Sequence, residues 1–362
     1  MASTTVAGPV IIKRVMGMET IIIRAISGKY ELQPAIDAVL RGGLVAFPTE
    51  TVYGLGADAF NPVAVRRIYE VKGRPSDNPS IVHIASLDQL SDVAIEVPPN
   101  LYDILRRVWP GPLTVILRKS SRVPLETTGG RETVAVRMPA HPVALDLIRG
   151  SKPIAAPSAN LSGRPSPTRI DHVIHDLMGK VDVIIDGGDT YFGVESTIID
   201  FTGGRPILLR PGPFTLEELR RFFQDIEVPD FARGVREADA ALAPGMKYRH
   251  YAPSKPVTLV ECDDVDGIVK ITGKLIDELG KKMRIAVICS SETCASYRGV
   301  ELINIGSRSD LYGVARQLFW ALRRVDELGV DAAVAEGFPE IGMGLAIMNR
   351  LRKASGFNIV KC

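Results

Sequence analysis

The sequence has little of what marks several broad protein classes. No uninterrupted apolar run approaches the roughly 18 to 20 residues that a membrane span needs, and Lys13 and Arg14 interrupt the run Val10 to Ile12 at once. Neither a transmembrane segment nor a signal peptide is read, and a cytoplasmic address is expected. The four cysteines, Cys262, Cys289, Cys294 and Cys362, form no CxxC pair. That disfavours a zinc site and a disulfide scaffold, and reduced structural thiols are expected. One-sided charge is absent too: 44 basic against 42 acidic side chains leave +2, so any contact with nucleic acid or an anionic surface has to be local.

What is present is the composition of a folded chain. Apolar residues make up 46% and charged residues 24% of 362, which excludes disorder and suggests two domains. The first 16 residues read as a tail, with Met18 as an alternative start. From about Thr20 to Gly212, short β-branched runs bounded by Gly and Pro read as strands: Leu44 to Phe47, Ile81 to Ala85, Leu113 to Arg118, Thr133 to Arg137, Val181 to Asp186, Ser196 to Phe201 and Ile207 to Arg210. Helical spacing between them is clearest after Asn61-Pro62, where Asn caps and Pro suits the first position. The stretch from Glu227 to Pro256 loses periodicity and reads as a linker. Beyond it, strands and helices alternate as in a small doubly wound α/β domain with a parallel sheet. The expected division is an N-terminal extension over 1–19, a first domain over 20–226, a linker over 227–255 and a second domain over 256–362.

Several signatures nearly match and fail. Gly54-Leu55-Gly56-Ala57 has the letters of a dinucleotide loop, but the helix starts only at Asn61-Pro62. Gly273-Lys274 lacks the upstream glycine and the Ser or Thr of a P-loop. Asp264 to Gly267 resembles part of a calcium loop, with Cys262 where the first ligand belongs. His172 and His175 share a helical face with no third ligand, and surface positions are expected for both.

Cationic and small polar residues in Gly/Pro-rich turns remain. Lys72-Gly73-Arg74-Pro75 precedes the strand at Ile81, where two fixed cations could clamp phosphates, although a Lys-x-Arg pair is more often solvated. His83 shares a strand face with Ile81 and Ala85, and a half-buried structural histidine is the plain alternative. Thr133 and Arg137 share one face of their strand, opposite Val134 and Val136. Arg137, if buried, needs an anion: a substrate carboxylate or an internal Asp or Glu serves equally.

The ordered set PTETVYGLG, KGRPSDNP, AVRMP, APSANLSG, GVESTIIDF and ILLRPG resembles the YrdC-domain family of threonylcarbamoyl-AMP synthases. KYRHYAP and GMGLAIMNRLRKAS resemble its long two-domain form. The resemblance implies a twisted-sheet catalytic domain with a concave basic cavity, plus a smaller Rossmann-like C-terminal domain. It implies a cytoplasmic nucleotidyltransferase that condenses L-threonine, bicarbonate or carbon dioxide, and ATP into threonylcarbamoyl-adenylate with release of pyrophosphate. A separate transferase then modifies adenosine beside the anticodon of tRNA, and weak contact with tRNA itself is left open. Carried over by motif, Lys72, Arg74, Ser158 and Asn160 are catalytic, and Thr51, His83, Arg137 and Ser196 hold threonine. Arg74, Asn78, Thr133, Asn160, Thr168, Arg210 and Tyr251 contact the nucleotide. Magnesium is expected on the pyrophosphate oxygens, with no dedicated protein cage. The linker end, Tyr248 to Pro253, reads as a lid, with a passive tether as the alternative. A plain RNA-binding protein is disfavoured because aromatic RNA-binding signatures are missing. A carbamoyl-transfer module of the same superfamily would bring zinc-finger cysteines and an acylphosphatase segment, and neither is seen.

Overall fold

The computed structural model describes residues 4–7, 10–15, 17–26, 30–237, 242–244, 246 and 251–362. These residues form two sheets. The larger has thirteen strands: β1 (Thr4–Ala7), β2 (Val10–Val15), β3 (Met18–Arg24), β4 (Val45–Phe47), β5 (Gly54–Asp58), β6 (Ile81–His83), β7 (Ala94–Ile95), β8 (Leu113–Lys119), β9 (Thr133–Arg137), β10 (Ile154–Ala156), β11 (Val183–Asp186), β12 (Thr197–Asp200) and β13 (Ile207–Arg210). They run in the order β1-β2-β3-β11-β4-β5-β10-β6-β9-β8-β12-β13, with β7 pairing β8 off this path. Parallel and antiparallel pairs mix, as when β6 lies antiparallel to β10 and parallel to β9.

Alternation along β9 decides which side chains reach the site. Val134 and Val136 enter a core with Leu105, Trp109 and Leu113, where each fully buried leucine contributes roughly 1.5–3 kcal/mol. Ala135 faces the other way, with Ile81, Ile116 and Ile198, so Arg137 lies on that second face. The linker residues Ala243 and Met246 cover the same face.

The helix Pro62–Lys72 starts as its sequence indicates: Asn61 Oδ1 accepts from the amides of Val63 and Ala64 at 3.1 and 3.2 Å. It stops at Gly73, whose φ of 59° is the left-handed cap that fixes the direction of the turn carrying Arg74. The failed dinucleotide loop is strand β5. A Cβ on Gly56 would lie 2.4 Å from Ile154 and 2.7 Å from the Phe47 ring, so that glycine serves close packing.

Three expectations are corrected here. The tail is structured in part, because β2 pairs residue by residue with β3, from Val10 opposite Ile23 to Val15 opposite Met18, and extends the sheet. Ile11 and Ile12 lie half-buried on that edge. His172 is buried, 7% exposed, because its Nδ1 accepts the Thr168 amide at 3.2 Å, whereas His175 is exposed as expected. The cysteines are paired, Cys262 with Cys362 and Cys289 with Cys294. Parallel strands explain the first bridge, since Glu261 lies opposite Lys361 and the chain steps from both straight into the cysteines.

The smaller sheet holds β14 (Val257–Glu261), β15 (Ile285–Cys289), β16 (Glu301–Asn304), β17 (Ala332–Glu336) and β18 (Ile359–Lys361). It is parallel throughout, in the order β16-β15-β17-β14-β18. The helices Val265–Leu279, Leu311–Glu327 and Gly344–Ala354 pack on it. That is the doubly wound domain read from the sequence, with the edge strands β16 and β18 added. Among the described residues no helix is long and apolar enough to cross a membrane.

Buried contacts join the two sheets' domains. Arg323, on the helix Leu311–Glu327, donates to Asp176 at 2.8 Å and to the Pro165 carbonyl at 2.7 Å. Gly193, with φ of 73°, lies against the backbone of Arg316, where a Cβ would be 2.3 Å from its Cα. In the linker, the short helix Asp230–Arg233 docks on Gly344–Ala354, and Asn349 Nδ2 donates to the Ala232 carbonyl at 2.9 Å.

Candidate active site

A cavity opens where β5, β6, β9 and β10 meet the loops before β12 and after β13. Eight of the residues singled out in the sequence line it: Thr51, Arg74, His83, Arg137, Ser158, Ser196, Arg210 and Tyr251. Glu195 and Pro244 complete part of its wall. Three guanidiniums therefore converge on one hollow of about 50 Å³, room for a few waters.

Arg137 has an internal anion. It is 3% exposed, and its Nη2 lies 2.6 Å from Glu50 Oε1. Its Nη1 donates to Thr51 Oγ1 at 2.8 Å and its Nε to the Gly111 carbonyl at 3.3 Å. An internal carboxylate thus neutralises this arginine from behind the cavity, where a buried cation would otherwise be costly. His83, opposite Arg137 in the register of β6 and β9, has Nδ1 3.1 Å from the Ile81 carbonyl. Burial, and then the charge of Arg137, push its pKa down to about 3, so the ring is neutral near pH 7.

On the opposite wall, Arg210 Nε donates to the Ser196 carbonyl at 3.0 Å, Nη2 to Ser196 Oγ at 3.2 Å, and Nη1 to the Pro244 carbonyl at 3.0 Å. Ser196 Oγ also lies 2.7 Å from Thr114 Oγ1. Arg74 is anchored by its Nε and Nη2 on the carbonyls of Asn78 and Pro79 at 3.2 and 3.0 Å. Burial draws its pKa down to about 10, which leaves it cationic at neutral pH.

Lys72 occupies a different place from the one its motif suggested. As the last residue of its helix it is only 3% exposed, and its Nζ donates to the Ser158 carbonyl at 2.5 Å and to the Asn160 carbonyl. Burial, with Arg74 second, holds its pKa well below that of a free lysine. It stands behind the cavity wall and fixes the loop that presents Ser158, instead of lying solvated as such a pair more often does. Ser158 Oγ donates to Asn160 Oδ1 at 2.6 Å, and Asn160 Nδ2 donates to the carbonyls of Leu161 and Arg164 at 2.8 and 2.9 Å. Asn160 consequently braces the loop.

Three more residues lie off the cavity. Asn78 and Thr168 are buried, and Asn78 Oδ1 and Thr168 Oγ1 have no hydrogen-bond partner among the described residues. Such atoms mark places where a polar ligand or water completes the structure. Thr133 sits at the far end of β9, beside Arg118, Glu132 and Phe201 in another hollow. Four residues of strand, roughly 13 Å, separate it from Arg137, so sharing a face did not bring it to the site.

Sequence reasoning did not single out Glu50 and Glu195. Both sat inside quoted motifs, and the signal for Glu50 was the buried arginine's need for an anion. Glu195 Oε1 accepts from Ser166 Oγ at 2.5 Å, and Oε2 accepts from Arg350 Nε at 3.1 Å. Burial alone would raise its pKa, but Arg350 and Arg210 outweigh it and hold the carboxyl below its usual range. Tyr251 lies over the cavity, 4% exposed, with φ of 65° and its ring stacked on Phe319 at 5.2 Å. Its lid partners Tyr248, Arg249 and His250 lie outside the described residues.

Comparison with known proteins places the family. Residues 37–212 match the family described as telomere recombination, and residues 214–356 match the C-terminal domain of threonylcarbamoyl-AMP synthase. The threonylcarbamoyl-AMP synthase of Pyrococcus abyssi is 51% identical, over 92% of this chain and 96% of its own length. That of Bacillus subtilis is 48% identical, over 88% and 91%. A solved structure of P. abyssi Sua5 in complex with L-threonine is 49% identical and superposes with a TM-score of 0.89, over 95% of this chain and 99% of that one. With relatives matched along nearly their whole length and both domains accounted for, the chain belongs to the threonylcarbamoyl-AMP synthase family.

Proposed function

We propose that the cavity is where L-threonine, bicarbonate or carbon dioxide, and ATP condense into threonylcarbamoyl-adenylate and pyrophosphate. The observation that carries this reading is the convergence of Arg74, Arg137 and Arg210 on one buried hollow edged with hydroxyls. The reaction joins anions. Threonine's amine attacks carbon dioxide and loses a proton to give a carbamate. A carbamate oxygen then attacks the α-phosphorus of ATP, and the bond to the bridging oxygen breaks to release pyrophosphate. Neutralising and aligning those charges is the main task, and fixed guanidiniums suit it better than a general base.

In this assignment Arg137 takes threonine's carboxylate as a planar fork, pre-aligned by Glu50 and Thr51. Neutral His83 and the hydroxyls of Thr51 and Ser196 surround the rest of the amino acid. Arg74 and Arg210 meet the phosphates, while Lys72 and Asn160 act through the loop that presents Ser158. Asn78 and Thr168 complete the nucleotide site with their open oxygens, and Thr133 has no part in it. Magnesium fits as a companion of the nucleotide phosphates: among the described residues no group of three His, Cys, Asp or Glu side chains stands together to build a protein cage.

The present cavity is too small for ATP, since small-molecule sites run to roughly 300 Å³ or more. Pro244 and Tyr251 close it, so the linker that carries them opens to admit the nucleotide and then shields the carbamate from water. Domain boundaries near 226 and 256, a cytoplasmic location and hand-over of the labile product to a separate tRNA-modifying transferase complete the reading. ATP–pyrophosphate exchange that requires both threonine and bicarbonate tests it. Exchange without threonine, or none with all three substrates, would sink it.

A further inference from the structure

Arg350 is fully buried although it belongs to the smaller domain, on the helix Gly344–Ala354. Its Nε donates to Glu195 Oε2 at 3.1 Å, its Nη1 to the Pro211 carbonyl at 2.5 Å and its Nη2 to the Glu195 carbonyl at 3.4 Å. Its guanidinium also lies 5.8 Å from the ring centroid of Tyr251, within cation–π range. The partner it grips is unusual for its place. Glu195 is the one carboxylate among the described residues that line the cavity, and it directly precedes Ser196, whose carbonyl and hydroxyl Arg210 holds.

A carboxylate in the wall of a site for ATP and a carbamate repels both ligands unless a cation cancels it. Arg210 acts on the same carboxylate through its charge, while its hydrogen bonds go to Ser196 and the Pro244 carbonyl. Arg350 is the guanidinium that makes the direct pair. We infer that Arg350 is a positioning residue for the synthase site: the smaller domain supplies the charge that neutralises Glu195, keeps the cavity receptive to ATP, and seats Tyr251 above it. The second domain is then part of the electrostatics of the first. This inference rests on the reading of the cavity given under Proposed function.

The test is a charge cycle in the full chain. ATP affinity is measured by calorimetry without threonine, and the threonine KM by pyrophosphate exchange, for the parent, Arg350→Met, Arg350→Lys, Glu195→Gln and the double variant Arg350→Met/Glu195→Gln. Arg350→Met leaves a buried carboxylate uncancelled, and ATP binding is expected to weaken at least tenfold, with a smaller change in threonine KM. Arg350→Lys should recover part of the loss. In the double variant no unpaired charge remains, and ATP affinity should return to within about threefold of Glu195→Gln. That recovery separates neutralisation from tethering, because the tether stays cut. It also covers the case in which Arg350→Met does not fold. ATP affinity unchanged in Arg350→Met, or a folded double variant as weak as Arg350→Met, overturns the inference alone. A parent chain that binds no ATP overturns the cavity reading and this inference with it.

Discussion

The two domains treat their crevices in opposite ways. In the smaller one, β15 and β17 are neighbours whose chains leave in opposite directions, β15 toward β16 and β17 toward β18. That is the switch point where doubly wound folds commonly bind ligands. Here the crevice is filled from within. Glu336, 1% exposed at the end of β17, accepts from the Ser290 amide at 3.2 Å, Thr293 Oγ1 at 2.8 Å, the Tyr297 hydroxyl at 2.6 Å and Arg308 Nη1 at 3.2 Å. In the larger domain Asn78 Oδ1 and Thr168 Oγ1 have no hydrogen-bond partner among the described residues, and Arg74 lines the cavity. The contrast teaches that a fold's customary binding place says less than where its hydrogen-bonding capacity is left open.

The sharpest way to break this comparison is at Arg74 and Lys72. Arg74→Ala should lower threonine-dependent pyrophosphate exchange by about 100-fold or more, the usual scale for removing a charge-stabilising donor, with a smaller fall in thermal midpoint than Lys72→Ala, because Arg74 lines the cavity, where water can reach the Asn78 and Pro79 carbonyls it frees. Lys72→Ala should lose activity and also melt earlier, because it strands two carbonyls at about 1–3 kcal/mol each. Equal melting of the two variants would show that Lys72 does not hold the loop. Next, Glu336→Ala should cost about 3 kcal/mol by denaturant unfolding, since it leaves Arg308 without its buried partner. Its KM values for threonine and ATP should stay within twofold. A large rise in either would mean that the filled crevice belongs to the reaction.

Arg137→Lys keeps the charge and loses the fork. The threonine KM should rise about tenfold, near 1.4 kcal/mol, and ATP binding without threonine should change far less. Equal weakening of both ligands would move Arg137 to a shared phosphate site. The smallest effect is on acid stability. His83 and His172 are each held near pKa 3 by burial, against 6.5 unfolded, so the unfolded chain binds more protons between those values. Stability should therefore be whole above pH 6.5 and decline as pH falls toward 3. A urea midpoint for His172→Gln that falls as steeply with acid as the parent's would remove His172 from this account.

Much of the fold could be read from the sequence because its strands are compact β-branched runs, such as Thr133–Arg137 and Val183–Asp186. What escaped had weaker patterns. β5 is spelled GLGAD and resembles a loop, and β16 lies on an edge with Glu301, Leu302 and Asn304 exposed. Motifs brought eight of the site residues to one cavity, but a motif does not say which way a side chain turns. Lys72 and Asn160 point into the loop they support, and Thr133 lies too far along its strand. Glu195's partner was out of reach of local reading, since Arg350 is 155 residues away.

The bridge between Cys262 and Cys362 spans 100 positions. It makes nearly all of the smaller domain a covalent ring. A lone proteolytic cut in an exposed turn of that ring, such as the one around Gly299, would release no fragment until a reductant is added. Damage there would stay hidden on a non-reducing gel while the helix bearing Arg350 remained seated against its neighbour.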